Sequence, residues 1–270
     1  MFKNLFNIIN NLFPYKMQGK NNKIYVTYNG RKKRLKRKLD GLNVSIHGVN
    51  NYLEIELPIS FKDTNIELAG ENAVCIIKKT PIKVNKASIY VSSWGRCFID
   101  EGIWLNQPNF NVIVNNNERF KPHKLVIGKR AQLGRELTIR TSDGHSIFNA
   151  GEKLPYNEPQ DVIIGKIGVA IIDNHEKLPE DDSDVIIGDD VWIAQRVTLI
   201  KGAQIPSNCV VGACSLVNKK FEEEGCIIAG NPAKVIKRNI RWKFDSYGFV
   251  TNKYKQNSSG DKKIKYMIKT

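Results

Sequence analysis

The sequence predicts an all-β chain folded as a stack of triangular coils, and three observations carry that expectation. Between residues 185 and 221 every sixth position is aliphatic: Ile187, Ile193, Leu199, Ile205, Val211 and Val217. The residue four places later is Val191, Val197, Ala203, Cys209, Ser215 or Phe221, mostly small. From residue 40 onward the chain consists of short β-branched runs broken by Gly and Asn, with little helical periodicity.

A period of six has a physical reading. Six is even, so strand alternation keeps the first and fifth residues of each unit on one inward face. Three units close a triangular coil, and stacked coils bury an aliphatic column that no single repeat buries alone. The small residue after each aliphatic one eases the corner between flat strands. An amphipathic helix needs 3.6-residue spacing, which these hexads do not supply. Two earlier hexads, starting at Ile127 and Leu133, match, and Ile139 opens a third. Further upstream a looser echo sets Gly48-Val49-Asn50-Asn51-Tyr52 against Gly70-Glu71-Asn72-Ala73-Val74.

The composition of the 270 residues, 41% hydrophobic and 26% charged, is that of a soluble globular protein. It argues against global disorder, collagen and coiled coil. No run of 18 apolar residues occurs, so no helix is expected to span a membrane. The opening MFKNLFNIINNLFPYK has charges and asparagines within its apolar stretch and no small-residue cleavage site, unlike a secretory signal. Five cysteines, an odd number with no CxxC spacing, read as the reduced thiols of a cytoplasmic protein.

The net charge of +15 is unevenly spread. Residues 1–38 hold eleven Lys/Arg and no acid, and residues 237–270 hold ten bases against Asp245 and Asp261. The middle is slightly acidic, with 21 bases and 25 acids. Four segments follow: a basic N-terminal arm (1–38), a degenerate β-rich region (39–125), the hexad domain (126–236) and a basic C-terminal tail (237–270). In the arm, Phe2, Leu5, Phe6, Ile9, Leu12 and Phe13 fall at helical spacing, ahead of seven bases among residues 31–38. That combination suits peripheral contact with an anionic membrane, at its inner face for a cytoplasmic protein. A helix packed on its own protein, followed by a solvated charge run, fits equally well. Nucleic acid is disfavoured as a partner, because the charge run has no interleaved aromatics for base stacking.

The hexads resemble the left-handed parallel β-helix of the hexapeptide-repeat acyltransferases, a hand opposite to the usual crossover preference. Ile228-Ala-Gly-Asn-Pro-Ala-Lys-Val-Ile236 is similar to the segment closing the acetyl-CoA site in sugar and polysaccharide O-acetyltransferases. Thr141-Ser-Asp-Gly-His-Ser-Ile147 resembles the histidine-bearing segment of capsular-polysaccharide O-acetyltransferases, including those acting on sialic-acid polymers. The resemblance implies an acetyl-CoA-dependent O-acetyltransferase, a homotrimer with sites between subunits, and a carbohydrate acceptor with no metal. It places backbone groups near Ala194 and Ala213 along the pantetheine arm. Lys219, Lys234 and Lys237 would meet the nucleotide phosphates, and Trp192 would pack on the cofactor or the acceptor ring. An N-acetyltransferase of amino sugars, or a structural β-helix without catalysis, are the competing readings.

The chain departs from the family pattern in one respect. Glu152-Lys-Leu-Pro155 leads to Asp161-Val-Ile-Ile-Gly165, and Glu176-Lys-Leu-Pro179 leads to Asp184-Val-Ile-Ile-Gly188. Each unit follows an Asp-x-His, Asp143-Gly-His145 or Asp173-Asn-His175, which reads as a duplicated coil and loop. The catalytic base is therefore His145 or His175. His145 is favoured by its motif, whereas His175 is nearer in sequence to Trp192, which only the second copy carries.

Acyl transfer from a thioester to a hydroxyl needs a base for the hydroxyl proton and a donor for the oxyanion. Histidine suits the first task because its pKa lies near working pH, and Asp143 or Asp173 is the local candidate to fix its tautomer. His47 and His123 have no motif support and read as structural. The chain has no GxSxG elbow, P-loop or dinucleotide fingerprint.

Overall fold

The structure, a computed structural model, describes residues 15–105, 108–115, 123–145, 147, 149–151 and 184–243. The first coil contributes β1 (Lys16–Lys20), β2 (Lys23–Tyr28) and β3 (Arg31–Arg34), and the next contributes β4 (Leu42–Val49), β5 (Tyr52–Leu57) and β6 (Phe61–Lys62). Then follow β7 (Thr64–Glu71), β8 (Val74–Ile77) and β9 (Val84–Asn85), and β10 (Ala87–Val91) with β11 (Arg96–Ile99). The coils next to the hexads hold β12 (Phe110–Val114), β13 (Lys124–Ile127), β14 (Gln132–Leu133) and β15 (Leu137–Arg140). The hexads themselves make β16 (Val185–Ile187), β17 (Trp192–Ile193), β18 (Thr198–Leu199), β19 (Gln204–Ile205), β20 (Val210–Val211) and β21 (Leu216–Val217). A hairpin, β22 (Ile227–Gly230) and β23 (Ala233–Lys237), closes the stack.

These strands form three walls. The first sheet runs β1-β4-β7-β10-β12-β15-β18-β21 and the second β3-β2-β5-β8-β11-β13-β16-β19. The third, β14-β17-β20-β22-β23, runs along the C-terminal coils, and β6 pairs with β9 in a two-stranded sheet among the N-terminal ones. Among the described residues every strand pairing is parallel except those of the two end hairpins, β2–β3 and β22–β23. This is the all-β stack of coils expected from the hexads, the left-handed parallel β-helix that the resemblance implies.

The core follows the hexad arithmetic. Ile187, Ile193, Leu199, Val211 and Val217 are fully buried, as are Val191, Val197, Ala203 and Cys209. Every third hexad aligns, with Ile187 beside Ile205, Ile193 beside Val211 and Leu199 beside Val217. Where a glycine follows the aliphatic residue, the close approach of the next coil is the reason for it. A Cβ at Gly134 would lie 2.6 Å from the Ala194 carbonyl carbon, and one at Gly188 2.6 Å from the Ser207 nitrogen.

The described residues of 39–125 form regular coils. The loose sequence echo is the coil period itself, since Gly48 aligns with Gly70 and Tyr52 with Val74. These coils are longer than those of the hexads because β4 and β7 have eight residues each. Their corner between the first and second sheets is propped by an asparagine ladder. Asn22 donates to the Gly48 carbonyl and accepts from the Asn51 amide; Asn51 repeats both bonds with Gly70 and Ala73. Two coils on, the fully buried Arg96 fills that corner and donates to the carbonyls of Asn72 and Gly95. Burial pulls the pKa of its guanidinium down to about 9.

The reading of residues 1–38 as an arm needs correction. From Lys16 onward they form the first coil, because Ile24 and Val26 point inward while the bases occupy outward and edge positions. The edge strand β3 is exposed at all four residues, and charge on such a strand guards against edge-to-edge pairing. The apolar stretch of residues 2–13 lies outside the described residues. The tail is also packed where it begins: β23 reaches Lys237, and the Ile240 amide donates to the Gly225 carbonyl.

Candidate active site

The histidine loop leaves the stack at the corner between the first and second sheets. Ile139, the last inward residue of β15, is fully buried, and so is Thr141, whose hydroxyl donates to the Asn115 carbonyl and accepts from its amide. Ser142 donates to the Asn115 side chain and accepts from the Gly144 amide. These bonds tie down 141–144 and leave Asp143 and His145 exposed just beyond. Asp143 pairs with Lys201 Nζ at 3.4 Å.

Sequence reasoning missed Lys201, although the three-hexad coil period could have found it. Lys201 follows β18 at the same corner, one coil beyond the histidine loop. Lys219 lies three hexads further on, so successive coils place the two at about the strand spacing of 4.8 Å. Lys219 is exposed, with its ammonium 5.3 Å from the centre of the Phe221 ring. One edge of the molecule thus carries a histidine followed by cations.

The other candidates sit elsewhere. Trp192 points outward from β17 at 39% exposure, as the inward Val191 requires. It heads a row on the third sheet that continues through Val210 and Ile227 to Lys237. Trp242 packs against Trp192, ring centres 6.1 Å apart, and its indole N–H donates to the Asp190 carbonyl at 2.7 Å. Nothing in the sequence announced Trp242. Beside it lies a cleft of ≈ 610 Å³, lined among others by Asn208, Glu224 and Arg241. Ala194 and Ala213 follow β17 and β20, at the corner between the third and first sheets. The Ala194 amide is already used, donating to the Val211 carbonyl. Lys234 is exposed on β23 opposite Ala229, in the hairpin built by Ile228–Ile236.

One protomer therefore brings His145, Asp143, Lys201 and Lys219 to one corner. It brings Ala194, Ala213 and Lys234 to another, across the first sheet, with Trp192 and Lys237 on the third. His175 and the first copy of the repeated unit, Asp161–Gly165, lie outside the described residues. The coils on either side are described, and they pair directly: Leu125 with Val185, Leu133 with Ile193, Ile139 with Leu199. Among the described residues no strand lies between these pairs.

Two polar residues at the start of β13 hold this corner together. His123 is 3% exposed, and its Nδ1 lies 2.9 Å from the Thr141 carbonyl. A carbonyl only accepts, so Nδ1 carries the proton. Lys124 donates its amide to Asp184 Oδ1 at 3.0 Å and places Nζ 3.4 Å from Oδ2. Asp184 is 1% exposed.

No family model matches the chain. An Escherichia coli O1:K1 polysialic acid O-acetyltransferase is 30% identical over 44% of the chain, a match covering 31% of that enzyme's length. A Saccharomyces cerevisiae protein described as an acetyltransferase is 31% identical over 66% of the chain and 81% of its own length. Among solved structures, the polysialic-acid-specific acetyltransferase NeuO superposes with a TM-score of 0.62 over 94% of this chain and 99% of that one, at 24% identity. With the hexads, the three-walled stack and the yeast relative in hand, the chain belongs to the hexapeptide-repeat acetyltransferase family, built on the left-handed β-helix.

Proposed function

We propose that the protein is an O-acetyltransferase that moves an acetyl group from acetyl-CoA to a hydroxyl of an acidic surface polysaccharide. The observation that carries this reading is the histidine loop. In a family member, His145 stands exposed beside a corner where Thr141, Ser142 and Gly144 are held by hydrogen bonds among themselves and to Asn115. His145 takes the acceptor hydroxyl proton as the oxygen attacks the thioester carbonyl. The tetrahedral intermediate collapses, the C–S bond breaks, and the same imidazolium returns its proton to the departing thiolate. Asp143, paired with Lys201, keeps a local balance of charge beside it.

Acetyl-CoA supplies the activated acyl group. It would lie along the C-terminal coils, with Ala194 and Ala213 beside the pantetheine arm and Lys219, Lys234 and Lys237 near the phosphates. Because one protomer holds these residues on separate corners, a homotrimer that sets one chain's histidine corner against its neighbour's cofactor corner completes the site. An acidic acceptor is supported by the basic first coil, where residues 16–38 hold ten bases and no acid. The polysialic acid named for the relatives is itself a polycarboxylate.

Calorimetric titration of acetyl-CoA into the purified protein tests the reading without knowledge of the acceptor. Saturable binding near one site per chain supports it. No binding at millimolar cofactor by folded, oligomeric protein overturns it and leaves a structural β-helix.

A further inference from the structure

We propose that His123 is a positioning residue of the acetyl-transfer site, holding the catalytic loop through the Thr141 carbonyl. This inference rests on the reading of the His145 loop as the place of chemistry. Three observations converge on it. The first is geometry: Nδ1 of a histidine that is 3% exposed donates at 2.9 Å to the carbonyl two residues before Asp143 and four before His145. The second is its place in the corner. His123 occupies the position held by Ala73 and Gly95 in earlier coils, since the Arg96 amide donates to its carbonyl just as the Tyr52 and Val74 amides donate to Ala73 and Gly95. In those coils the chain passes straight from the first sheet to the second. After Thr141 the next strand of the second sheet among the described residues begins only at Val185, and the His123 ring takes up the Thr141 carbonyl at the end of β15.

The third observation is the neighbouring residue. Lys124 holds Asp184 through both its amide and its ammonium. Two adjacent residues at the start of β13 thus hold Thr141, just past the end of β15, and Asp184, just before β16. Holding Thr141 in this way restricts where Asp143 and His145, two and four residues on, can stand. A loop base needs such a clamp, because misplacing a reacting group by about 1 Å costs on the order of 100-fold in rate. A histidine does this better than a hydroxyl would. Its ring is rigid, and Nδ1–H donates in the neutral Nδ1-H tautomer and in the imidazolium alike.

The test compares His123→Leu, which removes the donor, with His123→Asn, whose amide nitrogen takes the place of Nδ1. The expected result is a loss of kcat on the order of 100-fold for His123→Leu, with the KM for acetyl-CoA unchanged, and recovery of most of it by His123→Asn. Unchanged kcat in folded His123→Leu overturns the proposal, as does a loss that His123→Asn fails to rescue. If His123→Leu does not fold, His123→Asn against His123→Gln carries the comparison, because Gln sets its amide one methylene further out; equal kcat in those two overturns the proposal. If the unaltered protein shows no turnover, the functional reading falls by itself. The clamp is then read from hydrogen exchange of the Gly144 amide, which His123→Leu should accelerate while the amides of β13 stay protected; equal protection at Gly144 overturns it.

Discussion

Ile127 and Ile187 lie side by side in one parallel ladder although a long stretch of chain separates them, whereas Ile187 and Ile205, one coil further on, are only three hexads apart. The described coils on either side of residues 152–183 are in direct register, so the aliphatic column continues from one to the next. His145 stands just after the strand that ends the first of them.

The two histidines of the repeated Asp-x-His units separate by substitution. His145→Ala should lose about 100- to 10,000-fold in acetyl transfer, the range ascribed to a general base, with acetyl-CoA affinity retained. His175→Ala should keep most of its activity. Initial rates with a capsular acceptor decide it, and the reverse pattern would move the base to His175.

The Lys124–Asp184 pair predicts an asymmetry in stability. Replacing Lys124 by Met removes the ammonium from beside a buried carboxylate and leaves only the backbone bond of that pair, which should cost about 3–5 kcal/mol. Replacing both partners by apolar residues of similar volume should cost much less. Denaturant unfolding of the single and double variants measures the gap, and equal losses would place the energy of this corner elsewhere.

Glu54 predicts how the N-terminal coils respond to acid. Burial pushes its pKa up, but bonds from Lys32, Tyr52 and Thr27 outweigh this and hold the carboxyl below its ordinary value. A carboxyl with a lowered folded pKa stabilises above its unfolded pKa of about 4.3 and loses that contribution as pH falls through the folded value. The Tm difference between the protein and Glu54→Gln should therefore be full at neutral pH and shrink below about pH 4. A difference independent of pH would show that the ionised form is not what matters.

Gly188 tests the corner rule. With the Ser207 nitrogen 2.6 Å from where a Cβ would stand, Gly188→Ala forces adjacent coils apart. The expected cost is about 1–3 kcal/mol, typical of overpacking. Thermal melting checks it, and an unchanged Tm would show that the coils yield freely at that corner.

Much of this architecture was legible in the residues. The hexads placed Ile187, Ile193 and Val211 inside and Trp192 outside, because alternation along a strand is local geometry that any even repeat must obey. The same local rule explains the Gly48–Gly70 echo. The charge run at 31–38 misled, since bases on an edge strand look like bases on a solvated arm until the inward Ile24 and Val26 of the neighbouring strand are seen.

The stacking order was beyond the sequence. Two similar VIIG units, each led by an aspartate, give two candidate rungs, and their local sequence does not say which one sits on β13; in the structure it is Val185–Ile187. Nor did any local pattern join His123 to Thr141, Asp143 to Lys201 or Trp192 to Trp242. Local repeats determine which face of a strand is buried, because that depends only on residue parity. Contacts across the corners depend on where a chain returns after leaving the repeat, and only the assembled stack decides that.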